Sequence, residues 1–295
     1  MRLWVSNSVV YTQSKMELNQ PVTRDRSKLL VVKAGGAQGV DLKAISQDAG
    51  DLISAGYHLV LVHGGSAEAN ELGEALDYPP RFITSPSGHT SRYTDQRTLE
   101  IFAMAVNGKI NTFMVETLQR LGVNAIGLSG LDGRLLLAKR KTAIQSIEGG
   151  KRKIIRDDFS GKIEQVNVSL LESLLVAGYT PVVSPIAISM EAEALNVDAD
   201  RAAAAIAGSL GVGTLILLTS AIGLLSAYPD ESTLIANLPK SRLEEAEQFA
   251  QGRMKKKVLG AEEALNAGVT QVIIADGRVE KPITRALAGH GTIIS

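Results

Sequence analysis

Short apolar runs alternate with helical periodicity along most of this chain. Leu29-Leu30-Val31-Val32 is a continuous apolar run of strand length, and it leads into the turn Ala34-Gly35-Gly36-Ala37. Leu42, Ile45, Ala49, Leu52 and Ile53 then recur at helical spacing, and Gly56 closes that helix. The unit repeats: a strand at Leu59-Val60-Leu61-Val62, the turn His63-Gly64-Gly65-Ser66, and a helix from Ser66 to about Leu76. Strand, glycine turn and helix in alternation predict a parallel sheet covered by helices.

Pro79-Pro80 opens an irregular stretch that ends near Ser91. A long helix follows from Thr94, its expected N-cap, to Arg120. Ala125-Ile126-Gly127-Leu128 reads as a strand, and Arg134 to Arg156 as hairpins turning at Gly149-Gly150. Val166 to Ala177 is helical. Pro181-Val182-Val183 is a strand feeding a loop through Asn196. An Ala-rich helix from Asp198 to Leu210 precedes the strand Leu215-Ile216-Leu217-Leu218. A basic helix starts near Arg253, and Gln271-Val272-Ile273-Ile274-Ala275 is the last strong strand. Strands recur from end to end, so two lobes sharing one sheet are expected, 28–183 and 184–295. Residues 1–27 lack sustained periodicity and read as a disordered extension.

Of the 295 residues, 45% are hydrophobic, 21% charged and only 4% aromatic, which predicts a sizeable aliphatic core. The 31 basic and 31 acidic side chains balance, so the basic excess of a general nucleic-acid binder is missing. Cysteine is absent, which removes disulfides, thiolate catalysis and cysteine-held metals. The chain carries four histidines without H-E-x-x-H spacing, so no protein-built metal site is expected. No secretory signal is visible, and a cytoplasmic protein without a membrane segment is expected. Ala202 to Tyr228 is uncharged and long enough to span a bilayer. Gly208, Gly211 and Gly213 cut it, and Thr219, Ser220 and Gly223 make its second half polar. A buried helix, turn and strand fit it better. The P-loop, G-x-G-x-x-G and G-x-S-x-G patterns are all absent, as is the protein-kinase set.

Four pieces carry candidate chemistry. Lys33-Ala34-Gly35-Gly36 and His63-Gly64-Gly65 end the first two strands, where open α/β sheets bind ligands. Glycine amides at a helix start attract anions, so two such turns and a lysine make a phosphate cradle. Taken singly, each is an ordinary tight turn. Asn196-Val197-Asp198-Ala199-Asp200 opens a helix; N-capping by Asp198 explains one carboxylate but not two. In Gly252-Arg253-Met254-Lys255-Lys256-Lys257 the lysines point about 100° apart, so only one or two can face a site.

In this order the four pieces resemble the amino-acid kinase family, in particular its acetylglutamate kinase and [LysW]-aminoadipate kinase branches. Ser91-Arg92-Tyr93-Thr94-Asp95 and Gly127-Leu128-Ser129-Gly130-Leu131-Asp132-Gly133 add to the resemblance, which runs from about Leu29 to the C-terminus. It implies an α/β three-layer sandwich with a mainly parallel eight-stranded central sheet flanked by helices. It implies an acceptor-binding N-lobe and an ATP-binding C-lobe. It implies transfer of a phosphoryl group from ATP, with Mg2+, to a side-chain carboxylate. Lys33 and Lys257 would be the transition-state lysines, with Asp200 orienting both. Gly35, Gly36 and Gly65 would bind phosphate; Gly64, Gly65, Arg92 and Asn196 would bind the acceptor. Thr219, Ser220, Gly223, Leu224 and Met254 would hold ATP.

Ser66 and Ser91-Arg92-Tyr93 resemble the aminoadipate branch, whose substrate hangs on a small acidic carrier protein in lysine and sometimes arginine or ornithine synthesis. Free N-acetyl-L-glutamate, the acetylglutamate kinase substrate, remains the alternative. Between Arg134 and Arg156 eight basic residues face one acidic residue, Glu148. In a chain of zero net charge that is a local field able to steer an acidic partner. Lys139, Arg140, Lys141, Lys151, Arg152 and Lys153 are therefore candidates for docking the carrier. A homodimer is the default assembly.

Overall fold

The computed structural model of the protein describes residues 26–86, 88, 90–148, 151–250 and 252–295. The expected extension, up to residue 25, and the Gly149-Gly150 turn lie outside the described residues. A 3₁₀ turn at Arg26–Lys28 leads into β1 (Leu29–Ala34). Then come α1 (Leu42–Ser54), β2 (His58–His63) and α2 (Ser66–Ala75). Asp41 caps α1, its carboxylate accepting from the Lys43 and Ala44 amides at 2.9 Å each. The irregular stretch after Pro80 is a hairpin, β3 (Phe82–Thr84) and β4 (Thr90–Arg92). The long helix is α3 (Gln96–Ala103), a π-helical stretch Met104–Asn111, and α4 (Thr112–Arg120).

Asp95, not Thr94, is the cap of α3. Its carboxylate accepts from the Thr98 amide at 2.8 Å. Thr94 is occupied elsewhere: its amide donates to the buried Asp158 carboxylate at 2.9 Å.

β5 (Ala125–Ser129) follows, then β6 (Leu136–Arg140), the hairpin β7 (Ile144–Glu148) and β8 (Lys151–Ile155), and β9 (Gly161–Val166). The expected series of hairpins is thus one hairpin inserted between two paired strands, because β6 pairs antiparallel with β9 beyond it. α5 (Val168–Val176) leads to β10 (Thr180–Ser184). The expected loop through Asn196 contains a short antiparallel pair, β11 (Ile186–Ile188) and β12 (Ala194–Asn196).

α6 (Ala199–Leu210) and β13 (Thr214–Thr219) account for the long uncharged stretch. β14 (Asn237–Leu238), α7 (Leu243–Phe249), α8 (Arg253–Asn266), β15 (Gln271–Asp276), α9 (Pro282–Leu287) and β16 (Thr292–Ile294) complete the chain. Among the described residues no helix is long and apolar enough to cross a membrane.

Eight strands form the central sheet, in the order β14-β16-β15-β13-β1-β2-β10-β5. Its pairs are parallel except β15–β16. Alternate residues of β1 enter different layers. Leu29 and Val31 join the core under α5, α6 and α8, whereas Leu30 and Val32 join the one under α1, α4 and α9. Burial of both faces explains why β1 reads as an unbroken apolar run. The fold is therefore an α/β sandwich of helices on a mainly parallel sheet. β1 lies at its centre, with β2 on one side and β13, reached much later in the chain, on the other.

Candidate active site

That reversal of strand order opens a crevice at the carboxyl ends of β1, β2 and β13, the usual ligand position in open parallel sheets. A cleft of about 870 Å³ lies there. Lys33, Gly35 and Gly36 enter it from β1, Gly64 and Gly65 from β2, and Thr219, Ser220, Gly223 and Leu224 from β13. Arg92, Asn196, Asp200, Met254 and Lys257 line it as well.

The two glycine turns touch backbone to backbone. A Cβ on Gly36 would lie 2.0 Å from the Gly65 nitrogen, so no side chain fits there. The turns are stitched by Gly64 N–H to Ala34 O at 2.9 Å, Ala67 N–H to Gly36 O at 3.0 Å and Ser66 Oγ–H to Gly36 O at 3.1 Å. The amides of Gly36 and Gly65 find no acceptor among the described residues, which leaves two N–H donors for a ligand anion.

Asp200 sits between two lysines. Lys33 Nζ is 2.9 Å from Oδ1, and Lys257 Nζ is 3.1 Å from Oδ1 and 3.0 Å from Oδ2. All three residues are buried, at 5%, 6% and 6% exposure for Lys33, Lys257 and Asp200. Burial alone would raise the Asp200 carboxyl; Lys257 and Lys33 outweigh it and hold the group below the usual carboxylate range. Burial lowers the Lys257 ammonium, against the pull of Asp200. One carboxylate thus faces two ammonium groups, so a positive charge is left over in a site shielded from water.

Local sequence explains this geometry. Asp198 caps α6, its Oδ1 accepting from the Asp200 and Arg201 amides at 3.0 and 3.2 Å. That frees the Asp200 side chain for the lysines. α6 and α8 pack through Ala and Gly, and Arg201 latches them through Glu263, with Nε donating to Oε2 at 2.8 Å. Of the three consecutive lysines, Lys257 is buried, Lys256 lies 3.8 Å from Asp198 and Lys255 is exposed.

On the acceptor side, Arg92 is held beneath the cleft. Nη2 donates to Ser66 O at 3.1 Å and to Asn70 Oδ1, and the guanidinium lies over Phe82 and Phe102, at 5.5 and 6.0 Å from the ring centres. Asn196 Nδ2 donates to Thr94 Oγ1 at 3.1 Å.

Among the docking candidates, Lys141 lines the cleft; Lys139, Arg140, Lys151, Arg152 and Lys153 do not. Lys151, Arg152 and Lys153 are exposed on β8. Arg140 is committed to the fold: it pairs with Glu193 at 2.9 Å, donates to Asp158 O and stacks 3.8 Å over Phe159.

Sequence reasoning missed Lys162, Tyr228 and Phe249, all on the cleft wall. Lys162-Ile163-Glu164-Gln165 carries no strong strand signal, and nothing in it shows that β9 borders the cleft. Tyr228 and Phe249 are exposed in the structure, and their one signal in the sequence is that aromatics are few in this chain.

Beneath the Gly64-Gly65 turn lies His63, fully buried, and burial lowers its pKa to about 4. The unfolded ring takes its proton near pH 6.5. Between those values the unfolded chain binds more protons, so stability rises with pH there and is fully present above about 6.5. Unfolding free energy is expected to fall by about 2 kcal/mol from pH 7 to pH 5 through this group. Urea titrations of wild type and His63→Asn at both pH values check this; equal pH dependence in the two proteins would refute it.

Among the described residues no group of three or more His, Asp or Glu side chains is placed to hold a metal. The lysines occupy Asp200, and helix amides occupy Oδ1 of Asp198.

Comparison with known proteins places the chain among relatives. The amino acid kinase family profile matches residues 28–276. The chain is 52% identical over 268 residues to a [LysW]-aminoadipate kinase of Thermus thermophilus, covering 90% of this chain and all of the relative. A [LysW]-aminoadipate/[LysW]-glutamate kinase of Saccharolobus solfataricus is 38% identical over 269 residues, covering 90% and 99%. Among solved structures, N-acetylglutamate synthase from Neisseria gonorrhoeae superposes with a TM-score of 0.74 at 25% identity, over 92% of this chain and 60% of that one. Carbamate kinase from Giardia lamblia bound to AMP-PNP shares the fold, with a TM-score of 0.65 at 16% identity, over 91% of this chain and 98% of that one. The chain belongs to the amino acid kinase family.

Proposed function

We propose that this protein transfers the γ-phosphoryl group of ATP to the side-chain carboxylate of 2-aminoadipate held by its amino group on an acidic carrier, the LysW of its relatives' names. The product is an acyl phosphate, a step of lysine synthesis. Glutamate on the same carrier is a second acceptor, as the names of more distant relatives suggest. The observation that carries the reading is Asp200 bridging Lys33 and Lys257 beside two free glycine amides.

The acceptor carboxylate is ionised at neutral pH, so the reaction needs no general base. A carboxylate oxygen forms a bond to the γ-phosphorus. The bond from that phosphorus to the β–γ bridging oxygen breaks, and ADP leaves with the electron pair. The work is to bring two anions together and neutralise the charge spread over the moving group. The lysines approach from opposite lobes, β1 and α8, and Asp200 keeps both aimed at one point. The amides of Gly36 and Gly65 bind the equatorial oxygens. Arg92 and Asn196 bind the acceptor in the N-lobe, 28–183; Thr219, Ser220, Gly223, Leu224 and Met254 hold ATP in the C-lobe, 184–295. Magnesium would come with ATP and would supply further neutralisation of phosphate charge; Asp200, already shared by the two lysines, would not be needed to hold it.

A basic wall supports the carrier reading. Lys139 on β6 stands directly opposite Lys162 on β9, a like-charge pair that weakens the ladder. Lys141 continues that wall into the cleft, where burial and the nearby Arg201 lower its ammonium. With Lys139→Glu and Lys162→Glu together, KM for the carrier-linked acceptor is expected to rise about tenfold while KM for ATP stays within twofold. Unchanged KM values would remove the wall from the docking surface.

The function is tested by ATP consumption with hydroxylamine trapping of the acyl phosphate. Carrier-linked aminoadipate, carrier-linked glutamate and their free N-acetyl counterparts are run side by side. Turnover of the carrier-linked acids alone is expected. Efficient turnover of free N-acetyl-L-glutamate would instead assign the chain to arginine synthesis.

A further inference from the structure

His63 is absent from the cleft wall, yet both its ring nitrogens are engaged directly beneath the Gly64-Gly65 turn. Nδ1 lies 2.9 Å from the carbonyl oxygen of Gly64. A carbonyl only accepts, so Nδ1 carries the hydrogen. Nε2 lies 3.1 Å from Asn111 Nδ2, whose amide hydrogen it accepts. The same Asn111 nitrogen donates to Val182 O at 2.9 Å.

Asn111 is itself fixed. It ends the π-helical stretch and is buried. Its Oδ1 lies against Gly127, where a Cβ would come within 2.0 Å of it. One chain of hydrogen bonds therefore runs from the β10 backbone through Asn111 and His63 to the Gly64 carbonyl.

That carbonyl belongs to the same peptide unit as the Gly65 N–H. The peptide is trans and planar, so the two groups point in opposite directions. With Gly64 O drawn down to His63, the Gly65 N–H is turned up, away from the protein interior and toward the cleft that Gly65 lines. The Gly36 turn packs against this peptide and Gly64 N–H is held by Ala34 O, but the hydrogen bond given to the Gly64 carbonyl itself is the one from His63, and flanking glycines tolerate either direction of the peptide. Val106 and Ile110 pack against Gly65, but they are apolar and grip neither end of the peptide.

We propose that His63 is a positioning residue whose Nδ1–H, held in place by Asn111, fixes the Gly64–Gly65 peptide so that the Gly65 N–H faces the transferred phosphoryl group. The proposal rests on the phosphoryl-transfer reading above. It assigns His63 no part in proton transfer, because both nitrogens are engaged within the fold and His63 does not line the cleft.

Steady-state kinetics of His63→Asn, His63→Gln and His63→Leu test it. An Asn side chain places Nδ2 where Nδ1 stands and can still donate to Gly64 O. Gln reaches the Nε2 position instead, and Leu offers neither contact. His63→Gln and His63→Leu are expected to lower kcat about 10²-fold, the scale for losing one preorganised donor, with KM for ATP within about threefold. His63→Asn is expected to recover to within about tenfold of wild type. The proposal is overturned if His63→Leu keeps its kcat, or if a folded His63→Asn loses as much as His63→Gln. Should His63→Leu not fold, the Asn and Gln pair alone decides.

Wild type that turns over no acceptor would refute the phosphoryl-transfer reading alone. In that event a crystal structure of His63→Gln reads the peptide directly. A Gly65 N–H turned out of the cleft supports the positioning role, and an unchanged peptide plane ends it.

Discussion

Replacing Lys257 with Met is expected to lower kcat about 10³–10⁵-fold, the range seen when one cation is removed from a phosphoryl-transfer site. The same change is expected to leave stability within about 1 kcal/mol of wild type, or to raise it. The two halves of this result come from one count of charges. In the folded protein a single carboxylate, Asp200, contacts two buried lysines at about 3 Å. Removing Lys257 leaves the Lys33–Asp200 pair, which is balanced. Met fills much of the volume of the lysine stem and brings no charge to desolvate. Stability therefore has little to lose, whereas the reaction loses the cation contributed by α8. Activity assays and urea unfolding of the same preparation check both halves. A variant that unfolds as easily as it fails to react would mean that Lys257 serves the fold first.

How much of this was legible in the sequence follows from how local each signal is. The strand, glycine turn and helix units were readable because burial of both sheet faces makes unbroken apolar runs, and a tight turn needs glycine nearby. The lysines and Asp200 were singled out by strand ends and a helix start, and the structure brings them into contact. The capping of α3 was misplaced by one residue, since Thr94 and Asp95 are both good caps. A long-range partner decides between them: Asp158, far along the chain, takes the Thr94 amide.

The pairing of β6 with β9 was invisible for a related reason. The β9 segment, Gly161–Val166, lacks a clear period of two, and a hairpin lies between it and its partner. The π-helical stretch leaves no mark in the hydrophobic pattern either. Its effect appears only in space, where Asn107 meets Ser184 and Asn111 meets His63. His63 therefore read as the first letter of a glycine turn, with no sign of what holds it.

Replacing Asp200 with Asn carries the largest expected cost to the fold. The amide is nearly isosteric, so packing is kept, but two buried ammonium groups lose the counter-charge they share at about 3 Å. Removing one partner from a buried ionic cluster costs about 3–5 kcal/mol, because the remaining charge stays desolvated and uncompensated. Unfolding free energy should drop by that amount, and kcat by about 10²–10³-fold as the lysines lose their common aim. ATP changes the outcome in a diagnostic way. Its phosphates carry the negative charge that the variant lacks, so Asp200→Asn should bind MgATP at least as tightly as wild type. Saturating MgATP should then raise its unfolding midpoint by more than it raises that of wild type. Thermal unfolding of both proteins with and without MgATP measures this difference. Equal midpoints without nucleotide would show that Asp200 is no counter-ion for the lysines. A smaller nucleotide shift in the variant would show that the leftover positive charge does not receive the phosphates, and the phosphoryl site would have to be placed elsewhere in the cleft.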